Sequence, residues 1–330
     1  MDITRFILSN YYKILEEDYN SKFLQSKYAE TKFNLKDTTD NLLKKHDEVL
    51  QNIKSVDILP NQSLLDLKIK IAERIFRKCS FCERKCNVDR TESSGKCKVK
   101  DSQISSEFLH FGEESVLVPS YTIFFSGCTF NCVFCQNWDI SQNVKGIYVK
   151  PDVMATIIRQ RKLEGAKNVN WVGGDPTSNL FYILQVLKEL DTNIAQVWNS
   201  NMYCSEETMT LLDGIIDLYL TDFKYGNDKC AKRLSNVNNY TKIVKRNHKI
   251  AYKQTDMIIR HLIMPNHIEC CSKPILNWIK NNIPEVCVNI MVQYRPEYKA
   301  FNYTDISRSV TTDEYLDVKN YAKNIGLYLI

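Results

Sequence analysis

The chain has 330 residues, 44 basic and 39 acidic side chains for a net charge of +5, and 44% hydrophobic residues. That length allows one large α/β domain with a smaller appendage, and the ordinary hydrophobic content excludes a disordered polypeptide. The charge surplus is scattered apart from short clusters such as residues 242–249, too weak to point to nucleic acid, so no nucleic-acid partner is expected.

Residues 1–15 contain Asp2 and no continuous apolar core, so they resemble neither a secretory signal nor a membrane anchor. The expectation is a cytoplasmic chain with no membrane partner. Twelve cysteines then stand out, and seven of them fall in two short clusters. Clustered thiols in a reducing compartment point to metal ligation rather than disulfides.

In chain order, residues 1–78 lack glycine and show helical apolar spacing in Phe6, Ile7, Tyr11, Ile14 and Leu15, again in Leu42, Leu43, Leu50 and Ile53, and over 64–76 after Pro60. They predict a helical N-terminal region, either a packing appendage or a docking element for a partner. Residues 79–115 carry Cys79, Cys82, Cys86 and Cys97, a Cys-x2-Cys-x3-Cys-x10-Cys set. Four thiolates so close suit a closed structural zinc site, and they would equally hold an auxiliary iron-sulfur cluster.

From 116 to 330 the texture changes to short apolar runs alternating with amphipathic helices. Candidate strands are 121–126, 169–172, 195–198, 215–221, 257–264 and 286–293, and helices begin near Pro151, Asn179, Ser205, Tyr240, Lys273 and Thr312. Six such repeats predict an α/β fold with a parallel sheet closed partly or wholly into a barrel, a partial TIM barrel. No Gly-x-Gly-x-x-Gly follows the first strand, which disfavours a dinucleotide fold. Chemistry belongs at the carboxyl ends of the strands.

The first candidate strand runs into Cys128, Cys132 and Cys135. Three thiolates on a tight loop can hold three irons of a cubane, where an electron carrier normally supplies four, so one iron is left for a small molecule. A zinc site fits three cysteines poorly. With Phe134 in the aromatic slot, the loop resembles the Cys-x-x-x-Cys-x-aromatic-Cys signature of the radical S-adenosylmethionine superfamily. The resemblance implies a four-iron four-sulfur cluster on Cys128, Cys132 and Cys135, S-adenosylmethionine at the fourth iron, and Phe134 near the adenine.

After the second candidate strand comes Gly173-Gly174-Asp175-Pro176, at the place where the superfamily carries a Gly-Gly-Glu-like motif for the methionine amino group. Asp175 is shorter than the usual glutamate. Further segments resemble the proteins similar to pyruvate formate-lyase activating enzyme over about 79–330, among them His110-Phe111-Gly112-Glu113-Glu114, Gln136-Asn137-Trp138, Asp222-Phe223-Lys224, Arg260-His261-Leu262 and Gln293-Tyr294-Arg295. That family implies cofactor contacts by Asp222, Lys224 and Arg260 around the carboxylate, ribose or sulfonium, with Asn137, Asn199 and Asn201 as amide contacts. Asp222 and Lys224 read equally well as a structural salt bridge.

Tyr294, at the end of the sixth candidate strand, is a candidate hydrogen-atom donor, whereas His261 reads as a core histidine. Cys204, Cys230, Cys270, Cys271 and Cys287 lack metal-like spacing and read as buried thiols. The activity that the resemblance implies is reductive cleavage of S-adenosylmethionine to a 5'-deoxyadenosyl radical, which takes hydrogen from a substrate. A peptide or protein is the expected substrate, through peptide modification or glycyl-radical activation, with an electron donor such as flavodoxin or ferredoxin. A small-molecule substrate, or a non-catalytic iron-sulfur or zinc protein, is the alternative.

Overall fold

The computed structural model describes residues 3–54 and 56–330. Its centre is one sheet of eight strands in chain order: β1 Ile104–His110, β2 Ser120–Phe125, β3 Asn168–Gly173, β4 Ala195–Ser200, β5 Leu218–Asp222, β6 Asp256–Leu262, β7 Cys287–Met291 and β8 Tyr328–Leu329. β1 runs antiparallel to β2, and all later neighbours are parallel. Among the described residues pairing starts at β1 and stops at β8, as in a partial barrel.

Crossover helices cover Pro151–Leu163, Leu180–Glu189, Glu206–Leu212, Tyr240–Gln254, Lys273–Asn282 and Thr312–Asn324. Local signals start several of them. Pro151 sits in a first turn, the Ser205 hydroxyl accepts from the Thr208 amide, and Thr311 forms a capping box with Glu314.

Three elements lie beyond the sequence expectation. The helix Asp228–Ser235 is capped by Asn227, β8 is two residues long, and β1 lies within 79–115. β1 alternates exposed and half-covered residues along an edge, so it carries no apolar run to announce it.

The two faces of the sheet bury different partners. Trp171, Trp198, Tyr219, Met257 and Ile259 join the large core with helix residues such as Ile158, Leu184, Leu187 and Val244. Because strand side chains alternate, Ala195, Val197, Leu218, Leu220, Ile258 and Cys287 face the other way. They meet Leu8, Tyr11 and Ile14, contributed by the N-terminal helices Ile3–Ile7 and Ser9–Leu15 and their junction, together with Leu117.

The N-terminal segment thus plugs the amino-terminal end of the barrel interior. Polar bonds fix it there: the Tyr11 amide and the Asn10 side chain donate to Asp256, at 2.8 and 2.9 Å, and Asn168 donates to the Tyr11 hydroxyl at 2.9 Å. Further along, the helix Leu64–Arg77 lies on Leu180–Glu189, with Phe76 and Phe181 ring centroids 5.2 Å apart and Lys188 bonded to Asp66. The buried Lys68 side chain donates to the carbonyls of Leu211 and Asp213, at the carboxyl end of Glu206–Leu212, while burial lowers its pKa to about 7.

The plug makes a direct prediction. Tyr11→Ala removes a fully buried ring and should cost about 3–5 kcal/mol of folding free energy, read from the denaturant midpoint. A loss under about 1 kcal/mol would show the segment to be a detachable appendage.

Candidate active site at the carboxyl ends of the strands

Two residues beyond the plugged layer, on the same face of the sheet, the strands change from apolar to polar. Val197 is followed by Asn199, Leu220 by Asp222, Ile258 by Arg260 and Cys287 by Asn289, while on β3 the polar Asn168 is followed by Asn170. A period of two places all five in one chamber. Glu113 and Glu114, from the connection between β1 and β2, complete it.

Arg260 is the hub. Its Nε donates to Asp222 Oδ1 at 3.0 Å, one terminal nitrogen to Glu113 Oε2 at 3.3 Å, and the other to Asn199 Oδ1. Lys224 Nζ donates to Asp222 Oδ2 at 2.6 Å. Asn170 and His110 both reach Glu113 Oε1, at 3.2 and 3.3 Å, and Asn289 donates to Glu114 Oε1 at 2.8 Å. Burial alone would raise the Asp222 carboxyl, but Lys224 and Arg260 hold it down at about 2. Burial likewise opposes the charge on Lys224, and Asp222 followed by Cys132 outweighs it, so its pKa is raised. Glu114 Oε2 and Asn170 Oδ1 are buried acceptors without a protein partner among the described residues.

The cysteine loop opens at the end of β2. Gly127 adopts φ +83°, and a Cβ there would meet the Cys97 carbonyl oxygen at 2.7 Å. Cys132 Sγ accepts from Ser235 Oγ at 2.9 Å, Cys135 Sγ lies 3.2 Å from Ser141 Oγ, and Cys128 Sγ accepts from the Phe130 amide at 3.3 Å and more distantly from Asn201 Nδ2 at 3.8 Å. Burial, then the Cys135 thiol, pushes Cys132 up to about 11, with Lys224 and the Ser235 hydroxyl working against it. Burial, followed by Asp175 and Cys132, drives Cys128 well above the ordinary thiol range.

Burial raises the pKa of the Cys128 and Cys132 thiols, and a polyvalent cation, which a metal centre supplies, would take the charge of their thiolates. Hydroxyl and amide donors aimed at the sulfurs are the partners that tune iron-sulfur ligands. The donor set therefore fits an iron-sulfur cluster.

Gly173 and Gly174 join this loop to β3. The Gly174 amide donates to the Phe125 carbonyl at 2.8 Å and the Asp175 amide to that of Gly127 at 3.1 Å. A Cβ on Gly174 would stand 1.9 Å from the Gly127 oxygen and 3.2 Å from Cys128 Cβ, so the pair of glycines lets two backbones meet beside the first cysteine. Asp175 is buried, and its carboxylate accepts from the Thr177 amide, the Ser200 hydroxyl and the Asn201 amide at 3.0, 3.0 and 3.1 Å.

Phe134 is buried between Tyr225 and Tyr294, with centroids 6.5 and 5.8 Å away. Tyr294 is itself buried and its hydroxyl donates to the Ile306 carbonyl at 2.6 Å. Asn137 lies exposed at the start of the short Trp138–Ser141 helix. His261 is a core histidine, bonded to the Phe223 carbonyl and the Ser272 hydroxyl, both at 2.8 Å.

Cys79, Cys82, Cys86 and Cys97 occupy a folded segment with left-handed turns at Lys85, Asn87 and Lys98. Burial raises the thiols of Cys79 and Cys82, and the charges of the other cysteines add to it. The segment docks against the three-cysteine loop, because Arg84 donates twice to the Thr129 carbonyl, at 3.0 and 3.1 Å, and Cys82 pairs with Cys204 through their backbones. Among the described residues no helix is long and apolar enough to cross a membrane.

The chamber holds residues that the sequence did not single out as site residues: His110, Glu113, Glu114, Asn170, Asn289 and Ser235. A period-two reading carried past Val197 and Leu220 would have found the strand residues, whereas Ser235 belongs to a helix with no apolar stripe long enough to register.

Comparison with known proteins bears on this arrangement. A family model described as the Radical SAM superfamily matches residues 122–279. An uncharacterized protein of Methanocaldococcus jannaschii is 52% identical over 280 residues, covering 83% of this chain and 82% of its own. Among solved structures, Streptococcus suis SuiB bound to S-adenosylmethionine is 15% identical with a TM-score of 0.47, over 62% of this chain and 47% of that one, so this chain spans about half the length of SuiB. Methylornithine synthase (PylB) is 15% identical with a TM-score of 0.47, over 97% of this chain and 78% of its own.

The charge hub is testable through acidity. Asp222→Asn strands Arg260 and Lys224 in the interior and should cost about 3–5 kcal/mol of stability near neutral pH. The folded value of about 2 lies below the ordinary 3.8, so the stabilisation is fully present above pH 3.8 and is lost as pH falls through 2. The difference in unfolding free energy between wild type and mutant should accordingly shrink on acidification through that window; a difference independent of pH would contradict the ionised hub.

Proposed function

We propose that this chain, whose residues 122–279 match the Radical SAM superfamily model, is a radical S-adenosylmethionine enzyme that takes hydrogen from a peptide or protein substrate in the chamber above its plugged barrel. One observation carries the reading: a three-thiol loop, with a hydroxyl or amide partner at every sulfur, opens beside a largely buried Arg260–Asp222–Lys224 group.

Cys128, Cys132 and Cys135 would hold the cluster. When bound, the cluster and S-adenosylmethionine together supply one-electron cleavage to methionine and a 5'-deoxyadenosyl radical, which removes a hydrogen atom from substrate. Lys224, Arg260 and Asn199 would hold the carboxylate and ribose of the cofactor, and Asp222 favours the charged form of both cations. Gly173, Gly174 and Asp175 fix the cysteine loop at the cofactor's methionine end, Asn201 bridges that turn to Cys128, and Asn137 stands at the rim. Phe134, packed between Tyr225 and Tyr294, would lie on the adenine side of the cofactor, and these three rings would keep water from the reacting atoms.

Support for a polypeptide substrate comes from the activating-enzyme-like segments and from two buried acceptors, Glu114 Oε2 and Asn170 Oδ1, which suit N–H donors such as those of a peptide. The four-cysteine segment supports the loop from behind as a zinc or iron-sulfur site. A reducing compartment, the cytoplasm, with a flavodoxin- or ferredoxin-like donor, suits this chemistry.

Anaerobic reconstitution, reduction and incubation with S-adenosylmethionine should yield 5'-deoxyadenosine, and Cys132→Ala should abolish the yield. Undiminished product from the mutant would remove the ligand assignment. A candidate peptide should raise the yield and, when deuterated, pass deuterium to the product; deuterium transfer from a small metabolite instead would overturn the polypeptide reading.

A further inference from the structure

We propose that Cys230, His267, Cys270 and Cys271 bind a tetrahedral divalent cation, zinc, at a site separate from both cysteine sets described above. Sequence spacing hides this site, since Cys230 lies on the Asp228–Ser235 helix while the other three follow β6. The fold brings one donor atom of each within 4.8 Å of all the others.

The separations are those of a coordination tetrahedron. Cys230 Sγ is 3.9 Å from Cys270 Sγ and 3.6 Å from His267 Nδ1, and Cys270 Sγ is 3.8 Å from Cys271 Sγ and 3.3 Å from His267 Nδ1. Cys271 Sγ lies 3.8 Å from the same nitrogen. Zinc bonds of about 2.3 Å to sulfur and 2.0–2.1 Å to nitrogen require tetrahedron edges of roughly 3.8 Å between sulfurs and 3.5 Å between sulfur and nitrogen. Three thiolates and one imidazole make a closed structural shell.

Two features independent of those distances prepare the ligands. Residues Ile268–Ser272 form a π-helical turn, in which the amides of both Cys271 and Ser272 reach the His267 carbonyl, at 2.9 and 3.2 Å. The widened turn lets consecutive cysteines face one point, and such turns recur at functional sites. On the far side of the ring, His267 Nε2 is 2.9 Å from Asp305 Oδ2, and Asp305 is held by Arg233 through both oxygens. A carboxylate accepting from Nε2–H leaves Nδ1 with its lone pair toward the thiols, the usual orientation of a metal-bound histidine. Cys230, His267 and Cys271 are buried and Cys270 is exposed, which gives the ion a way in.

Zinc here would tie three segments to one point: the Asp228–Ser235 helix, the turn after β6 and, through Asp305, the turn Thr304–Ile306. The last residue of that helix, Ser235, donates to Cys132 Sγ, so the ion sets the position of a group that touches the three-thiol loop.

The test uses the full chain purified anaerobically and loaded with zinc alone. Wild type should hold roughly one zinc more per chain than Cys230→Ser or His267→Asn, and Asp305→Asn should weaken zinc affinity by about 10–100-fold with no loss of stoichiometry at saturation. In wild type, zinc should protect exposed Cys270 from iodoacetamide until a chelator is added. This second readout needs no variant to fold. Equal zinc content in wild type and Cys230→Ser, alkylation of Cys270 at the same rate before and after chelation, or a disulfide among these cysteines in the anaerobic protein would each overturn the proposal. Since none of these measurements involves S-adenosylmethionine, the zinc site stands or falls apart from the catalytic reading.

Discussion

An arginine removed from most of its water has to share its charge, and at Arg260, whose side chain is 14% exposed, that requirement organises the carboxyl end of the barrel. Desolvation would cost several kcal/mol per ion if the charges were isolated. The carboxylates of Asp222 and Glu113 meet the guanidinium, Lys224 takes the second oxygen of Asp222, and Asn170 and His110 take the second oxygen of Glu113. Five elements of the chain therefore have to arrive in register before any one of these charges is satisfied. Next to that network sits the three-thiol loop, in which burial raises the pKa of Cys128 and Cys132.

The same period of two that assembles this chamber also closes it from below. Residues one layer earlier on the same faces are Val197, Leu220 and Ile258, and Leu8, Tyr11 and Ile14 fill the space between them. The N-terminal helices thus close the amino-terminal end of the barrel, opposite the end at which the cysteine loop lies. Behind the loop, the four-cysteine segment presses Cys97 against Gly127 and Arg84 against Thr129, so the loop is braced on its outer side as well.

Much of this was readable in the residues. The six parallel strands and their helices follow from apolar runs and start signals, and the cysteine triplet declares itself by local spacing. The rest was not, for identifiable reasons. β1 is an edge strand with no apolar run, and Glu113 and Asn170 become partners only through pairing across the sheet. Gly173 and Gly174 read as room for a ligand, while their own backbone also has to clear that of Phe125 and Gly127. Cys230 and Cys271 read as inert thiols because their common neighbour, His267, is brought to them only by the fold.

The central claim is that S-adenosylmethionine meets the iron left open by Cys128, Cys132 and Cys135. Electron paramagnetic resonance of the reconstituted, reduced chain tests it most directly. The account predicts a reduced four-iron four-sulfur signal that changes shape and position when S-adenosylmethionine is added, and the loss of that S-adenosylmethionine-responsive signal when the triplet is replaced. A signal identical with and without S-adenosylmethionine would contradict it.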